Sequence, residues 1–170
     1  WRRRSNVLGL DGPCILVARH LEPLYDNASA VRAFALVRAS YPGARLVLAG
    51  GGRQRAALAR LARSLGVLAS VRFAGPVDNA AMPALYQASD IVLNPSLADN
   101  MPISVLEALA WDYAPVTARL VAAGPRRLST HEGTWFSVAA GAYAACLEVR
   151  PGFSKIVLDA MRSAAAREAA

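Results

Sequence analysis

Short apolar segments alternate with amphipathic ones along most of this chain, and the alternation constrains its fold more than any other feature. Residues 14–19, 42–50, 70–75 and 90–96 are rich in Val, Ile, Leu and Ala, and each contains a run of strand length. Strands that are apolar almost throughout are typical of a parallel sheet covered on both faces. The sequence therefore predicts an α/β fold, a doubly wound parallel sheet with helices on both faces.

Helical patterns lie between these strands. Residues 27–41 carry apolar side chains at helical spacing behind a cap, Asp26 or Asn27. Residues 79–89 contain Pro83 near a first turn, where proline is tolerated. We also expect helices after the glycines at 50–52 and from residue 102, then a strand at 114–121, a loop at 122–133, a strand at 134–138 and helices at 141–149 and 153–169.

Composition excludes several classes of protein. The chain is 55% hydrophobic and 18% charged, as in globular proteins, and no apolar run approaches the roughly 18 residues needed to cross a bilayer. A net charge of +7 is explained first by a biased base composition, and an anionic partner is the alternative explanation. No nucleic-acid-binding module is visible, and Cys14 and Cys146 have no metal-ligand spacing. We expect a cytoplasmic protein that binds neither nucleic acid nor metal.

The stretch "SLADNMPISVLEALA" (96–110) carries the clearest chemical signal. Ligands of such sheets bind beyond the carboxyl ends of the strands, and this stretch follows the fourth strand. Pro102 fits the first turn of a helix that Asp99 or Asn100 can cap, and the helix start favours an anion. Glu107 lies about 7 Å further along the axis at about 1.5 Å per residue. Asp99 and Glu107 can flank a phosphate group and accept hydrogen bonds from sugar hydroxyls. Alternatively, Asp99 only caps the helix and Glu107 is an ordinary helix carboxylate.

Four segments in a fixed order carry a family resemblance: "GARLVLAGGG", "VRFAGPV", "MPALYQASDIVLNPS" and "DNMPISVLEALA". The chain resembles the Rossmann-like sugar-nucleotide domain of retaining GT-B glycosyltransferases of the group 1 family, closely over 14–118 and loosely over 119–169. The family has a Glu–x7–Glu motif, in which Asp99 takes the first acidic position and Glu107 the second. The resemblance implies that Asp99 contacts hydroxyls of the donor sugar and that Glu107 contacts the ribose.

Further site residues follow from the same resemblance. Arg19 matches the diphosphate-binding Arg of the family, so that Arg19, Asp99 and Glu107 would form the catalytic set. Tyr25 stands where the family usually has a second diphosphate-binding cation, a Lys, and Tyr is uncharged at neutral pH. The other expected donor-binding positions are the glycines that permit close backbone approach, a residue after the third strand and the start of the acidic-motif helix: Gly50, Gly51, Gly52, Val77, Asn100, Met101 and Pro102.

The resemblance implies an enzyme that moves a sugar from a nucleotide-diphosphate donor to an unknown acceptor with retention, in polysaccharide or glycoconjugate biosynthesis. Neither a metal nor another cofactor is expected. We expect residues 1–13 to be a linker or edge segment from a preceding domain and residues 14–170 to bind the nucleotide sugar. The amino-terminal acceptor domain would then be missing, so the isolated domain would transfer little. The full-length protein is expected in the cytoplasm, with a peripheral contact to the inner face of the membrane as a further hypothesis.

One departure from the family keeps alternatives open. Trp111 and Tyr113 follow the acidic motif, and the family's Gly-Gly-x-Pro-Glu loop is absent from 111–127. A non-catalytic, degenerate nucleotide-sugar-binding module would also account for this segment and for Tyr25. A GT-B-like nucleotide-sugar epimerase is the other alternative. A nicotinamide-binding fold is less favoured, because no G-x-G-x-x-G turn follows the first strand.

Overall fold

A computed structural model describes residues 9, 12–96, 116–117, 126–130, 134–139, 142–146, 156–157, 159–161 and 163–164. Its strands are β1 Cys14–Ala18, β2 Arg45–Ala49, β3 Val71–Gly75, β4 Ile91–Leu93, β5 Val116–Thr117, β6 Arg126–Thr130, β7 Thr134–Ala139 and β8 Ala142–Cys146. Its helices are α1 Asn27–Ser40, α2 Arg55–Ser64 and α3 Met82–Gln87, and Pro23–Tyr25 and Leu68–Ser70 form single 3-10 turns. None of the described helices is both long enough and apolar enough to span a bilayer.

Strand β1 lies inside a parallel sheet with the order β3-β2-β1-β4. Leu16 pairs with Val47 of β2 on one side and with Val92 of β4 on the other. The chain therefore builds outward through β2 and β3 and then returns to the opposite side of β1. That reversal creates a topological switch point between β1 and β4, the place where α/β sheets open a crevice for ligands. The predicted α/β fold is confirmed over these four strands.

The sheet continues beyond β4 with antiparallel strands, which differs from the sequence prediction. Strand β8 pairs antiparallel with β4, matching Ile91 to Cys146, and β7 and β6 follow it; β5 also pairs with β8. The helix predicted at 141–149 is thus wrong, and the segment predicted as a loop at 122–133 contains β6. Strand pairing outweighs the helix preference of the alanines in Ala142–Cys146, since intrinsic propensity is a weak term.

Two other predictions for this half agree with the structure. Strand β7 matches the strand predicted at 134–138, and β5 lies within the segment predicted at 114–121. The described residues 156–157, 159–161 and 163–164 are helical, as expected for 153–169. The helix predicted from residue 102 lies outside the described residues.

Helix α1 begins at the cap that its sequence predicts. The Asp26 side chain accepts a hydrogen bond from the Ser29 N–H at 3.3 Å, which satisfies one of the unpaired donors of the first turn. Asp26 has a φ of 40°, a left-handed conformation that Asp tolerates better than most residues. Ala33, Phe34 and Val37 form the buried stripe of the helix. The cap and the stripe together fix where the chain leaves the end of β1.

One face of the sheet packs against α1, α2 and the carboxyl-terminal helical residues. Its core contains Ile15 and Val17 of β1, Leu46 and Leu48 of β2 and, from α1, Phe34. The opposite face presents Cys14 and Leu16 to α3, whose Tyr86 is 1% exposed. Successive residues of β1 and β2 thus alternate between two apolar layers, which explains the apolar run in each of these strands.

Candidate functional site

A cleft of about 330 Å³ opens where β1 and β2 end and where the chain leaves β3. Its position at the carboxyl edge of the sheet is the one predicted for a ligand site in this class of fold. The cleft is lined by Ala18, Arg19, His20, Ala49, Gly50, Gly51, Pro76, Val77, Asn79, Met82 and Tyr86. Four of the predicted site residues therefore lie on its wall: Arg19, Gly50, Gly51 and Val77.

Arg19 follows β1, and its side chain contacts Asn94 and Tyr25. Its Nε donates a hydrogen bond of 3.2 Å to Oδ1 of Asn94. Its guanidinium carbon lies 5.5 Å from the centre of the Tyr25 ring, within the range of a cation–π contact. The His20 ring lies 6.2 Å from the same Tyr25 ring, so three side chains of one loop meet beside the cleft. Tyr25 thus contacts Arg19 and is not itself part of the cleft wall.

Asn94 is the residue at this site that the sequence analysis did not single out. It follows β4 directly and is 1% exposed. Its Oδ1 also accepts hydrogen bonds from the backbone N–H of Ser96 at 3.2 Å and from the Ser96 hydroxyl at 2.5 Å. The available signal was a polar residue immediately after an apolar strand, at the edge where ligands bind. In the structure, the hydrogen bond between Asn94 and Arg19 spans the switch point and joins the end of β4 to the end of β1.

The glycines after β2 serve a packing role that their sequence does not reveal. Gly50 has a φ of 152°, and a Cβ atom there would clash with the carbonyl oxygen of Arg19. Gly52 has a φ of 154°, and a Cβ atom there would clash with the carbonyl oxygen of Leu21. The Leu21 N–H donates to the Gly51 carbonyl at 2.8 Å. Gly50 and Gly52 therefore let two loop backbones approach closely. Gly52 faces Leu21 and not the cleft, while contact of Gly50 and Gly51 with a ligand stays a prediction.

An ion pair connects the loop after β1 to the loop after β2. The carboxylate of Glu22 accepts the Arg53 backbone N–H at 3.0 Å and lies 2.7 Å from the Arg53 Nε. The Arg53 side chain is 79% exposed, so solvent screens the ion pair and its contribution to stability is small. Its effect is geometric, because it ties the loop after β1 to the start of the segment that leads into α2.

The cleft wall combines a guanidinium-bearing residue with apolar side chains. It is lined by Arg19 and His20 and also by Pro76, Val77, Met82 and Tyr86. Such a surface is suited to a ligand that joins an anionic group to a flat or apolar one. Among the residues that the structure describes, no cluster of three or more His, Cys, Asp or Glu side chains is arranged to hold a metal ion. Asp99, Asn100, Met101, Pro102 and Glu107 lie outside the described residues.

Comparison with known proteins identifies the family. A family model described as glycosyl transferases group 1 matches residues 2–148. A D-inositol 3-phosphate glycosyltransferase of Mycolicibacterium paratuberculosis is 33% identical over 144 residues, which cover 82% of this chain and 31% of that protein. One from Actinosynnema mirum is 35% identical over 132 residues, which cover 72% of this chain and 31% of that protein. The chain thus spans about a third of the length of these relatives.

Solved structures show the same fold at low sequence identity. The pneumococcal O-GlcNAc transferase GtfA, in complex with UDP and GlcNAc, aligns with 96% of this chain and 31% of its own, at a TM-score of 0.63 and 9% identity. Anabaena HepE, in complex with UDP and glucose, aligns with 65% of this chain and 30% of its own, at a TM-score of 0.57 and 20% identity. Because the family model matches well over half of its residues, the chain belongs to the group 1 glycosyl transferases.

Proposed function

We propose that this chain is the nucleotide-sugar-binding half of a retaining glycosyltransferase, which moves a sugar from a nucleotide diphosphate to an acceptor. Membership of the group 1 family supports the reaction class. The observation that carries the proposal for this chain is the placement of Arg19. Its side chain is hydrogen-bonded to Asn94 across the switch point of the sheet, and Arg19 lines a cleft that also carries apolar side chains.

The diphosphate of the donor would lie against Arg19. An Arg guanidinium can present two parallel N–H groups to phosphate oxygens, and such charge-assisted bonds are about twice as strong as neutral ones. The same positive charge would stabilise the negative charge that develops on the leaving diphosphate as the glycosidic bond breaks. The charge of Arg19 would therefore serve binding in the ground state and the reaction in the transition state.

The base would lie against apolar side chains of the cleft. Pro76, Val77 and Met82 offer an apolar wall, and Val77 is one of the donor-binding positions that the family resemblance implies. Two solved structures of this fold that contain UDP support a nucleotide as the ligand class. On this proposal Asp99 contacts hydroxyls of the sugar, and Glu107 accepts a hydrogen bond from the ribose.

A ligand screen tests this proposal. The chain would be titrated by calorimetry and by thermal unfolding with UDP-, GDP- and ADP-sugars, and with the matching nucleosides. A bound donor at about 100 times its dissociation constant should raise the free energy of unfolding by about 2.7 kcal/mol. No stabilisation by any nucleotide sugar would contradict the proposal. Binding together with transfer, in a chain that carries an acceptor domain as well, would distinguish the enzyme from a degenerate binding module.

Glu107→Gln tests the role of the second acidic position. We expect it to weaken nucleotide binding by about 1.5–3 kcal/mol even when the sugar is absent, because a hydrogen bond to a charged acceptor is lost. The unfolding midpoint of the ligand-free variant serves as the control and should stay close to that of the parent. Unchanged affinity for a nucleotide that the parent binds would reject the assignment of Glu107 to the ribose.

A further inference from the structure

We propose that Asn94 and Tyr25 are positioning residues that hold the Arg19 guanidinium in the orientation in which it meets the diphosphate; the inference rests on the proposed function. An Arg side chain is long and has four rotatable bonds, so an Arg at a loop position samples many orientations. Arg19 is instead restrained by contacts with Asn94 and Tyr25. Asn94 accepts from its Nε at 3.2 Å, and the Tyr25 ring faces its guanidinium carbon at 5.5 Å.

The Asn94 amide is itself a fixed acceptor. It is 1% exposed, and its Oδ1 accepts from both the N–H and the hydroxyl of Ser96. Rotation of the amide would break these bonds inside the protein, which is costly for a buried polar group. The hydrogen-bonding direction offered to Arg19 is therefore set by β4 and the turn after it. Restraint at Nε also means that the anion would be met by the two terminal nitrogens of the guanidinium.

The chemistry of Asn94 matters as much as its position. A carboxylate at this site would hold Arg19 more tightly, but it would also neutralise the charge that attracts the diphosphate. A neutral amide oxygen helps to fix the guanidinium and does not itself neutralise its positive charge. This difference separates the present proposal from a purely structural role, in which Asn94→Asp would lower stability without a selective loss of diphosphate affinity.

Tyr25 supplies the second restraint by a different interaction. The negative face of its ring attracts the guanidinium, whereas a Lys at the same position would repel it. Residue 25 therefore supports the Arg19 guanidinium and does not add a Lys ammonium beside it. The ring carries this interaction, so the hydroxyl of Tyr25 should be dispensable.

The test compares diphosphate binding with nucleoside binding in a set of variants. Calorimetry would measure the binding of three diphosphates, UDP, GDP and ADP, and of the matching nucleosides, uridine, guanosine and adenosine. The proteins compared would be the parent chain, Asn94→Ala, Asn94→Asp, Tyr25→Phe and Tyr25→Leu. We expect Asn94→Ala to weaken diphosphate binding about 5- to 20-fold, with nucleoside binding within about twofold of the parent. Asn94→Asp should weaken diphosphate binding as well. Tyr25→Leu should weaken it about three- to fivefold, and Tyr25→Phe should match the parent.

Each other outcome overturns the proposal in a distinguishable way. Equal losses of diphosphate and nucleoside affinity would show that Asn94 only supports the fold of the cleft. Diphosphate affinity that is unchanged in Asn94→Ala and in Tyr25→Leu, but lost in Arg19→Ala, would leave the proposed function intact and reject the positioning role. Unchanged diphosphate affinity in Arg19→Ala would reject both. If Asn94→Ala does not fold, the Tyr25→Phe and Tyr25→Leu pair decides, because that side chain lies partly exposed in a surface turn.

Discussion

The two faces of the parallel sheet are built for different purposes. The face against α1 and α2 is packed with large aliphatic side chains and Phe34, all nearly inaccessible to solvent. On the α3 face the residues nearest the carboxyl edge are small, Ala18 and Ala49, and beyond them the cleft opens against Tyr86 and Met82. In the part of the chain that the structure describes, stability should therefore depend mainly on the first face and ligand binding on the second. Substitutions on the two faces should separate the two properties.

The largest expected effect is on the α1 face. Phe34→Ala removes a ring that is 1% exposed, and we expect it to lower the free energy of unfolding by about 3–5 kcal/mol because a cavity remains. Leu65→Ala is the control, since Leu65 is 39% exposed after the end of α2 and its loss should cost about 0.5 kcal/mol or less. Chemical denaturation measures both. Similar losses for the two variants would contradict the assignment of stability to this face.

The next largest effect on stability is expected where the loop after β1 packs against the glycines that follow β2. Gly52→Ala should cost about 2–4 kcal/mol, because the new Cβ combines an unfavourable backbone conformation with a clash against the Leu21 carbonyl. Gly66→Ala is the matched control: its φ is also positive at 71°, but nothing lies within 4 Å of a Cβ atom there. That variant should cost about 1 kcal/mol. Equal costs would mean that close packing of the loops contributes little.

The sequence predicts the parallel half of this molecule well for a physical reason. Strands β1, β2 and β4 are buried on both faces, so burial itself leaves apolar runs that can be recognised locally, and the Asp26 cap is likewise a local signal. The helix prediction for 141–149 was wrong because an Ala-rich stretch favours a helix locally, whereas β8 forms by pairing with its neighbour β7 and with β4, which is distant in sequence.

The candidate site divides in the same way. The position of Arg19 follows from the end of a recognisable strand and from the family resemblance. Asn94 was missed because an Asn after a strand is common in turns, and its contact with Arg19 spans 75 residues of sequence. The packing of Gly52 against Leu21 is also a long-range contact. Sequence patterns thus predict which edge of the sheet carries the site, but they do not predict which side chains support one another there.

A smaller effect, confined to ligand binding, is expected at Tyr25. In a working enzyme organised around the Tyr25–Arg19 contact, Tyr25→Lys should leave the diphosphate affinity equal or lower, because the new cation repels Arg19. In a degenerate module the same change should raise the affinity, and the gain should fade with salt. Calorimetry of the diphosphate at low and high salt separates these outcomes. The free energy of unfolding should change by about 0.5 kcal/mol or less, since Tyr25 is not in the core.

The most direct test of the account is the binding of nucleoside diphosphate and nucleoside to the parent chain, to Arg19→Ala and to Arg60→Ala. Arg60 is exposed on α2, away from the cleft, so Arg60→Ala is a control that removes the same charge elsewhere. We predict that Arg19→Ala weakens diphosphate binding by about 1.5–3 kcal/mol and leaves nucleoside binding nearly unchanged. Arg60→Ala should alter neither diphosphate binding nor nucleoside binding appreciably. Equal weakening by the two Arg variants would reduce the role of Arg19 to net charge. Diphosphate binding that is untouched by Arg19→Ala would contradict the placement of the donor at the switch point of the sheet.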